Sequence, residues 1–132
     1  MNSNQSDYSY AEDEELVNQF LGWTGDAVKE LRELADSMDG SETAKSPSCE
    51  RMYDLAHNIK GMGSSFNFDL MTTIGTSLCR YIKHREGTIS ARAIDAHVRI
   101  FEVVLTNKIT GDGGEKGQAL EARLNEIIVE EA

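Results

Sequence analysis

Apolar side chains recur every three or four positions through most of this chain, which is the spacing of one face of an α-helix. The first such stripe is long and stops just before Asp39 and Gly40. Its members are Leu16, Phe20, Trp23, Ala27, Leu31, Leu34 and Met38. The unbroken period predicts one long amphipathic helix at the start of the fold.

Four further stripes follow, each bounded by residues that favour helix ends. Pro47 suits the first turn of a second helix with Ser46 as its N-cap, and Asp69 and Ser90 suit the starts of the third and fourth. Asn67 tolerates the left-handed backbone that often ends a helix. The four stripes are Met52, Leu55, Ile59, Met62 and Phe66; Met71, Ile74, Leu78, Tyr81 and Ile82; Ile94, Val98, Phe101, Leu105 and Ile109; and Leu120, Leu124, Ile127 and Ile128.

The pattern as a whole predicts an all-α fold. No segment sustains the two-residue alternation of a strand. We therefore expect an antiparallel four-helix bundle with an additional C-terminal helix packed on or beside it. We assign residues 1–10 to a disordered N-terminal tail and residues 11–132 to a single helical domain. Within that domain the core is 11–109, and 110–132 forms a C-terminal loop and helix.

Composition excludes several classes of function. The formal net charge of −10 disfavours nucleic acid as a partner, because phosphate binding needs clustered Lys and Arg. No apolar run approaches the ~20 residues that span a membrane, and the N-terminus lacks the features of a signal peptide. We therefore expect no membrane partner and a cytoplasmic location.

Metal and nucleotide sites are also disfavoured. Cys49 and Cys79 lack the spacing of a zinc site and are expected to be free structural thiols. A di-iron bundle needs paired Glu-x-x-His motifs, and the chain offers only a single Asp-x-x-His ending at His57. The glycine-rich stretch 111–117 is not a P-loop, because Gln118 follows it where Ser or Thr is required, and we expect a flexible connector there.

His57 is the candidate reactive residue. It lies two positions from apolar residues on either side, roughly 200° away on a helical wheel, so it faces water when the stripe faces the bundle. Lys60, Gly61 and Ser64 follow three, four and seven positions later and share its face.

This face suits phosphoryl transfer. A neutral imidazole is a good nitrogen nucleophile, and Lys60 places a positive charge near the transferring oxygens. Gly61 leaves bare backbone beside the ring, although glycine costs a helix interior about 1 kcal/mol against alanine. The alternative is an ordinary surface histidine beside a surface lysine, with the glycines Gly61 and Gly63 serving helix packing instead.

The segment from Ala56 to Phe68, AHNIKGMGSSFNF, resembles the signature of histidine-phosphotransfer (HPt) domains of two-component phosphorelays. The core of that signature is H-x-x-K-G on the second helix of a bundle. The resemblance implies that His57 is the phosphoacceptor, Lys60 the nearby cation and Gly61 the small residue that admits the partner. Ser64 is then a polar neighbour on the same face.

Two positions depart from the family's pattern. Many members have glycine where this chain has Asn67, and many have a polar side chain near Cys79 that orients the histidine. The resemblance also implies that Phe66 and Phe68 fill core positions beside the turn.

In the family, the module relays a phosphoryl group between the aspartate of a response-regulator receiver domain and its own histidine. The resemblance therefore implies receiver domains, a hybrid histidine kinase, or both as partners. It implies a monomer without ATPase or autokinase activity. Mg²⁺ belongs to the receiver, so no cofactor is expected on this chain. The alternatives are a helical adaptor or inhibitor that docks on a receiver or kinase without carrying phosphate, and a purely structural bundle.

Three basic residues near the end of the third predicted helix are candidates for docking the receiver. They are Arg80, Lys83 and Arg85, and His84 lies among them. They would complement an acidic receiver surface. Alternatively, they only complement the negative end of the helix dipole.

Overall fold

The computed structural model describes residues 12–132. Apart from an isolated bridge between Thr43 and Thr88, the elements within them are helical, which confirms the all-α prediction. The predicted tail, 1–10, lies outside the described residues. The elements are α1 (Glu14–Asp36), α2 (Pro47–Gly63), the 3-10 turn (Ser64–Phe66), α3 (Asp69–His84), α4 (Ala91–Asn107) and α5 (Gly114–Glu130).

The first four helices form a bundle. Helix α1 packs against α2 and α4, and α3 packs against the same two helices, so the four enclose one core. Helix α5 packs along α4. An ion pair of 2.7 Å between Arg92 and Glu130 joins the end of α5 to the start of α4, so the two helices are antiparallel. Because α5 also borders the outer edge of α3, it lies on the side of the bundle away from α2.

One cluster of buried apolar side chains runs through all the helices of residues 12–132. Leu31, Ile59, Leu78 and Phe101 are fully buried at its centre, and α5 contributes Leu124. Each fully buried side chain of this size contributes roughly 1.5–3 kcal/mol to stability.

A stack of aromatic rings closes one end of this core. The ring of Phe20 on α1 lies 4.6 Å from that of Phe66 and 5.7 Å from that of Phe68. Phe68 is buried and Phe66 half-buried. Both residues thus occupy core positions beside the turn between α2 and α3.

Backbone hydrogen bonds between loops tie both ends of the bundle. At one end the N–H of Ile89 donates to the carbonyl of Glu42 over 2.8 Å. At the other end the N–H of Gly111 donates to the carbonyl of Asn67 over 2.6 Å, and the N–H of Leu70 donates to the carbonyl of Gly111 over 3.0 Å. These bonds satisfy polar groups that short loops would otherwise leave unpaired.

The helix ends agree with the sequence prediction in part. The Ser90 hydroxyl caps α4, and Asn67 adopts the left-handed conformation with φ 65°. The Ser46 side chain makes no capping hydrogen bond to α2. Phe68 is the N-cap of α3, so Asp69 is the first residue inside that helix, where its charge still favours the positive end of the dipole.

The glycine-rich stretch is more ordered than the predicted connector. Helix α5 begins inside it, at Gly114. Gly117 is buried directly beneath the carbonyl of Asp112, where a Cβ atom would collide. This glycine therefore allows the loop to fold back onto the first turn of α5.

Two members of the predicted apolar stripes are exposed. Trp23 on α1 and Met62 on α2 each keep 37 % of their surface accessible. Each lies at the edge of its helix's buried face, because the bundle buries only a narrow central arc of α1 and α2.

His97 on α4 is a buried histidine that none of the predicted stripes includes. Its Nδ1 lies 2.7 Å from the carbonyl of Ala93, which can only accept, so Nδ1 carries the proton. Its Nε2 lies 2.9 Å from the Ser77 hydroxyl and accepts from it. Burial lowers the pKa of His97 to about 4, so the folded protein holds this ring neutral.

We expect His97 to make stability depend on pH. Its pKa is lower in the folded protein (about 4) than in the unfolded chain (6.5), so the unfolded chain takes up the proton first as pH falls. Stability that is present above pH 6.5 is lost toward pH 4, by up to about 3 kcal/mol. Urea unfolding at about pH 7 and about pH 5 measures the loss. His97→Gln, although less stable at both values, is expected to show a smaller difference between them. An equal difference would contradict the assignment.

Candidate functional site

His57 lies on the solvent-exposed side of α2. The ring of Tyr53, one turn earlier, lies nearly parallel to the imidazole, with 9° between the planes and 6.1 Å between the centroids. Among residues 12–132, no protein group forms a hydrogen bond to the His57 ring. Both ring nitrogens are therefore available to a ligand.

Two glycines bring the backbones of α2 and α3 close together behind this face. A Cβ on Gly75 of α3 would lie 3.0 Å from the carbonyl oxygen of Ala56 and 3.1 Å from the backbone nitrogen of Lys60. A Cβ on Gly63 of α2 would lie 2.8 Å from the carbonyl oxygen of Phe68. Helix α2 cannot turn about its own axis without breaking these contacts. The packing that buries Ala56 therefore directs the neighbouring His57 outward.

Thr72 on α3 fixes the last turn of α2. Its hydroxyl donates to the carbonyl of Lys60 over 3.0 Å and accepts from the N–H of Ser64 over 2.9 Å. The hydroxyl thus bridges the N–H of Ser64 and the carbonyl of Lys60, the pair that a continuing α-helix would join directly. Sequence reasoning missed this role, because a threonine at the edge of a helix carries no signal of its partner across the bundle.

Gly61 and Gly63 have different reasons to be glycine. A Cβ on Gly61 would meet no atom within 4 Å, whereas one on Gly63 would lie 2.6 Å from the Thr72 hydroxyl oxygen. The packing alternative therefore explains Gly63 and leaves Gly61 unexplained. Glycine at position 61 weakens the helix, and no internal packing contact requires it there.

Lys60 and Ser64 lie on the same side of α2 as His57. Ser64 is exposed, one turn beyond Gly61, and Lys60 is half-buried toward α3. Within the part of the chain that the structure describes, the Lys60 ammonium has no carboxylate in ion-pair distance. Its charge is therefore available to an anion bound at His57.

Cys79 does not take the place of the orienting polar side chain. Burial raises the pKa of its thiol, and the positive charge of Lys60 offsets this only in part. The neutral thiol points at the carbonyl of Tyr53, with 3.8 Å between sulfur and oxygen. It is therefore directed toward the backbone of α2 and away from the imidazole.

The three basic candidates for docking do not form one patch. Lys83 borders a surface groove together with Tyr53, on the His57 side of α3. Arg80 and Arg85 line a different groove, between α3 and α5. Arg85 is also held within the fold, since its Nε donates to the carbonyl of Thr88 over 2.9 Å. The structure thus divides the three residues between two grooves, and His57 lines neither of them.

Other kinds of site find little support in residues 12–132. No group of three or more His, Cys, Asp or Glu side chains there could hold a metal ion. None of the helices in this range is both long enough and apolar enough to cross a bilayer.

Comparisons of the chain with protein-family models, with curated proteins and with solved structures found no match. Its function is therefore inferred from the geometry around His57 and from the H-x-x-K-G resemblance.

We expect alanine to have opposite effects at the two glycines of α2. Gly61→Ala adds a methyl group in open space and improves helix propensity, so the free energy of unfolding should rise by up to about 1 kcal/mol. Gly63→Ala forces a methyl group against backbone and should lower it by about 1–3 kcal/mol. Urea unfolding followed by circular dichroism gives both values. Destabilisation by Gly61→Ala would show a packing contact that the structure does not contain.

Proposed function

We propose that this chain is a histidine-phosphotransfer protein of a two-component phosphorelay. His57 takes a phosphoryl group from the aspartyl phosphate of one receiver domain and passes it to the aspartate of another. The observation that carries the proposal is an exposed, unbonded imidazole on a helix that cannot rotate, beside a glycine that internal packing does not require.

The transfer is balanced without a further reactant. An unprotonated ring nitrogen of His57 attacks the phosphorus, and an N–P bond forms while the P–O bond to the receiver's aspartate breaks. The aspartate leaves as a carboxylate with the electron pair. The proton on the second ring nitrogen is then lost to water as the charge readjusts. Transfer to the next receiver is the same step in reverse.

The chain's own residues position the imidazole and offset charge. The ring of Tyr53, one turn earlier, lies nearly parallel to the imidazole and borders it on one side. Lys60 places a positive charge beside the phosphoryl oxygens, whose charge a nearby cation stabilises. Gly61 leaves room for the backbone of the receiver. Mg²⁺ and the acidic pocket belong to the receiver, as the family resemblance implies.

The same proposal limits what the protein does alone. It has no ATPase or autokinase activity of its own and acts as a monomer in the cytoplasm. Its partners are receiver domains, free or within a hybrid histidine kinase. Lys60 places a positive charge at the site within a chain of net charge −10, which suits an acidic receiver pocket.

We expect a phosphorylated receiver to label this protein on His57. The label should be labile to acid and stable to alkali, as an N–P bond is, and it should be absent from His57→Gln. His84→Gln is the matched control, because His84 is also an exposed histidine at a helix surface. Label that persists in His57→Gln would refute the assignment. Tight receiver binding without any label would instead favour the adaptor.

We further expect Gly61→Leu to block transfer while the fold survives. The side chain enters open space in the isolated chain, so circular dichroism and the urea midpoint should change little. It occupies the space that a receiver needs next to His57, so the transfer rate should fall by about tenfold or more. Normal transfer in Gly61→Leu would show that the partner approaches from another direction.

A further inference from the structure

A groove with an apolar floor runs along the outer side of the seam between α4 and α5, and we call it the α4–α5 groove. Its volume is about 250 Å³. Two arginines line it together with six apolar side chains, which are Ala96, Ile100, Val103, Leu120, Leu124 and Ile127. Ile100 and Leu124 are buried and therefore form its floor. The packing of α5 on α4 thus leaves an apolar slot open to solvent.

The two arginines of this groove, Arg99 and Arg123, face each other across it, and we call them the groove arginines. Arg92 of α4 pairs with Glu130 of α5 over 2.7 Å, which fixes the register of the two antiparallel helices. Arg99 follows Arg92 by seven residues, and Arg123 precedes Glu130 by seven. Seven residues are close to two turns, so the groove arginines lie on the same two edges, at one common level.

Within residues 12–132, neither groove arginine has an ion-pair partner across the seam. The Nε of Arg99 pairs with Asp95 of its own helix over 3.0 Å. The Nη1 of Arg123 pairs on its own helix with Glu126 over 3.3 Å and with Glu130 over 4.0 Å. A guanidinium has five N–H donors, and each of these two uses only one of its nitrogens. Both therefore keep donors for a further acceptor.

The neighbouring acids neutralise the groove arginines only in part. Asp95 is also bound by Arg32 over 2.6 Å, and Glu130 is also bound by Arg92. Exposed ion pairs of this kind are weak, because water and salt screen them. Like charges at opposing positions repel, and the apolar floor between them supplies no counter-charge. The arrangement therefore favours an anion that accepts hydrogen bonds from both guanidinium groups.

The ion pairs direct both guanidinium groups toward one end of the groove. The acid partner on α4 lies one turn before its arginine, and the acid partners on α5 lie one and two turns after theirs. Because the two helices are antiparallel, both steps lead toward the end formed by Ala96 and Ile127. The opposite end is formed by Val103 and Leu120. The groove thus has a polar end for a head group and an apolar end for a chain.

The dimensions of the groove select a single alkyl chain. From the level of Ala96 to that of Val103 it runs about 10 Å, at a helical rise of about 1.5 Å per residue. A C–C bond of about 1.5 Å at a tetrahedral angle advances a chain by about 1.25 Å, so this length holds about eight carbons. Packed helix axes lie only about 8–10 Å apart, so a third helix, itself about 10 Å wide, is too thick to enter between them.

We propose that the α4–α5 groove binds the anion of a saturated fatty acid of about eight to ten carbons. The carboxylate lies between the groove arginines, and the alkyl chain lies on Ile100 and Leu124 toward Val103. Apolar walls with a few polar groups that fix orientation are the usual composition of a small-molecule site. The inference does not depend on the proposed function, because His57 lies on a different helix and does not line this groove.

Binding of octanoate to the full chain tests the inference. We expect isothermal titration calorimetry to show one saturable site with a Kd of about 1 mM or tighter. Octan-1-ol has the chain without the charge, and acetate has the charge without the chain. Each should bind at least about threefold more weakly than octanoate. Absence of a saturable site for octanoate, or equal binding of octan-1-ol, would overturn the inference.

Neutral substitutions at the groove arginines test the position of the carboxylate. Arg99→Gln and Arg123→Gln should each weaken octanoate binding by about three- to tenfold and leave the binding of octan-1-ol unchanged. Both side chains are exposed, so circular dichroism should show the same fold. Arg80→Gln is the matched control, because Arg80 is an exposed arginine outside this groove. An equal loss in all three variants would assign the effect to net charge and contradict the proposed site.

Amide chemical shifts locate the bound chain. Saturating octanoate should shift the amide signals of Ile100 and Leu124 and of their neighbours along α4 and α5. Signals from α2 should stay unchanged, since that helix does not border the groove. Shifts centred on α2, or on the groove that Arg80 lines, would place the ligand elsewhere and show that the inference is wrong.

Two other occupants of the groove give different results. A dimer in sedimentation that Arg123→Gln dissociates, together with no binding of octanoate, would assign the groove to a second copy of this chain. Capture by phosphatidylglycerol vesicles without any binding of free octanoate would assign it to a membrane surface. Either result overturns the inference. Neither changes the reactivity of His57, so the proposed function is tested separately.

Discussion

The close contact between α2 and α3 is the constraint on which the site depends. Gly63 and Gly75 allow the two backbones to approach, and Thr72 then bonds to both sides of the last turn of α2. A helix held by backbone contacts has less freedom to rotate than one held by flexible side chains, because interiors packed at this density transmit any displacement as strain. The outward direction of His57 therefore follows from the contact of α2 with α3 on the opposite side of the helix.

The two histidines His57 and His97 show how environment separates chemical roles. Both nitrogens of His97 are used inside the bundle, one donating to a carbonyl and one accepting from a hydroxyl, and burial keeps the ring neutral. His57 has neither partner and stands in solvent. A satisfied, buried ring strengthens the fold, whereas an unsatisfied, exposed ring is free to react. The same residue type thus links α3 to α4 in one place and, in the other, leaves an exposed ring to which no group of residues 12–132 forms a hydrogen bond.

The bundle has a supporting side and a side available to a partner. On the supporting side, Arg32 of α1 forms ion pairs with Glu102 and Asp95 of α4, over 2.8 and 2.6 Å. These partners raise the pKa of Arg32, and the hydrogen bond to Glu102 contributes most. Helix α5 covers α4 and the far edge of α3. The surface formed by α1, α2 and the near edge of α3 is left open, and it carries His57 and Gly61. Rigidity on one side and access on the other suit the proposed transfer between two partners.

The sequence by itself determined the helices, because periodicity and end signals such as Pro47, Asn67 and Ser90 act over a few residues. It also determined that His57 faces away from the apolar stripe of its own helix, since that angle depends only on helical geometry.

Only the tertiary structure decided which stripe residues lie at the edge of a buried face, so Trp23 and Met62 are exposed. The difference between Gly61 and Gly63 was likewise decided there, because it depends on how closely a second helix approaches. For the same reason Lys83 came to border the groove beside Tyr53, whereas Arg80 and Arg85 came to lie between α3 and α5. Positions along one helix are set by local bonding, but the neighbours across a bundle are set by packing between segments far apart in the chain.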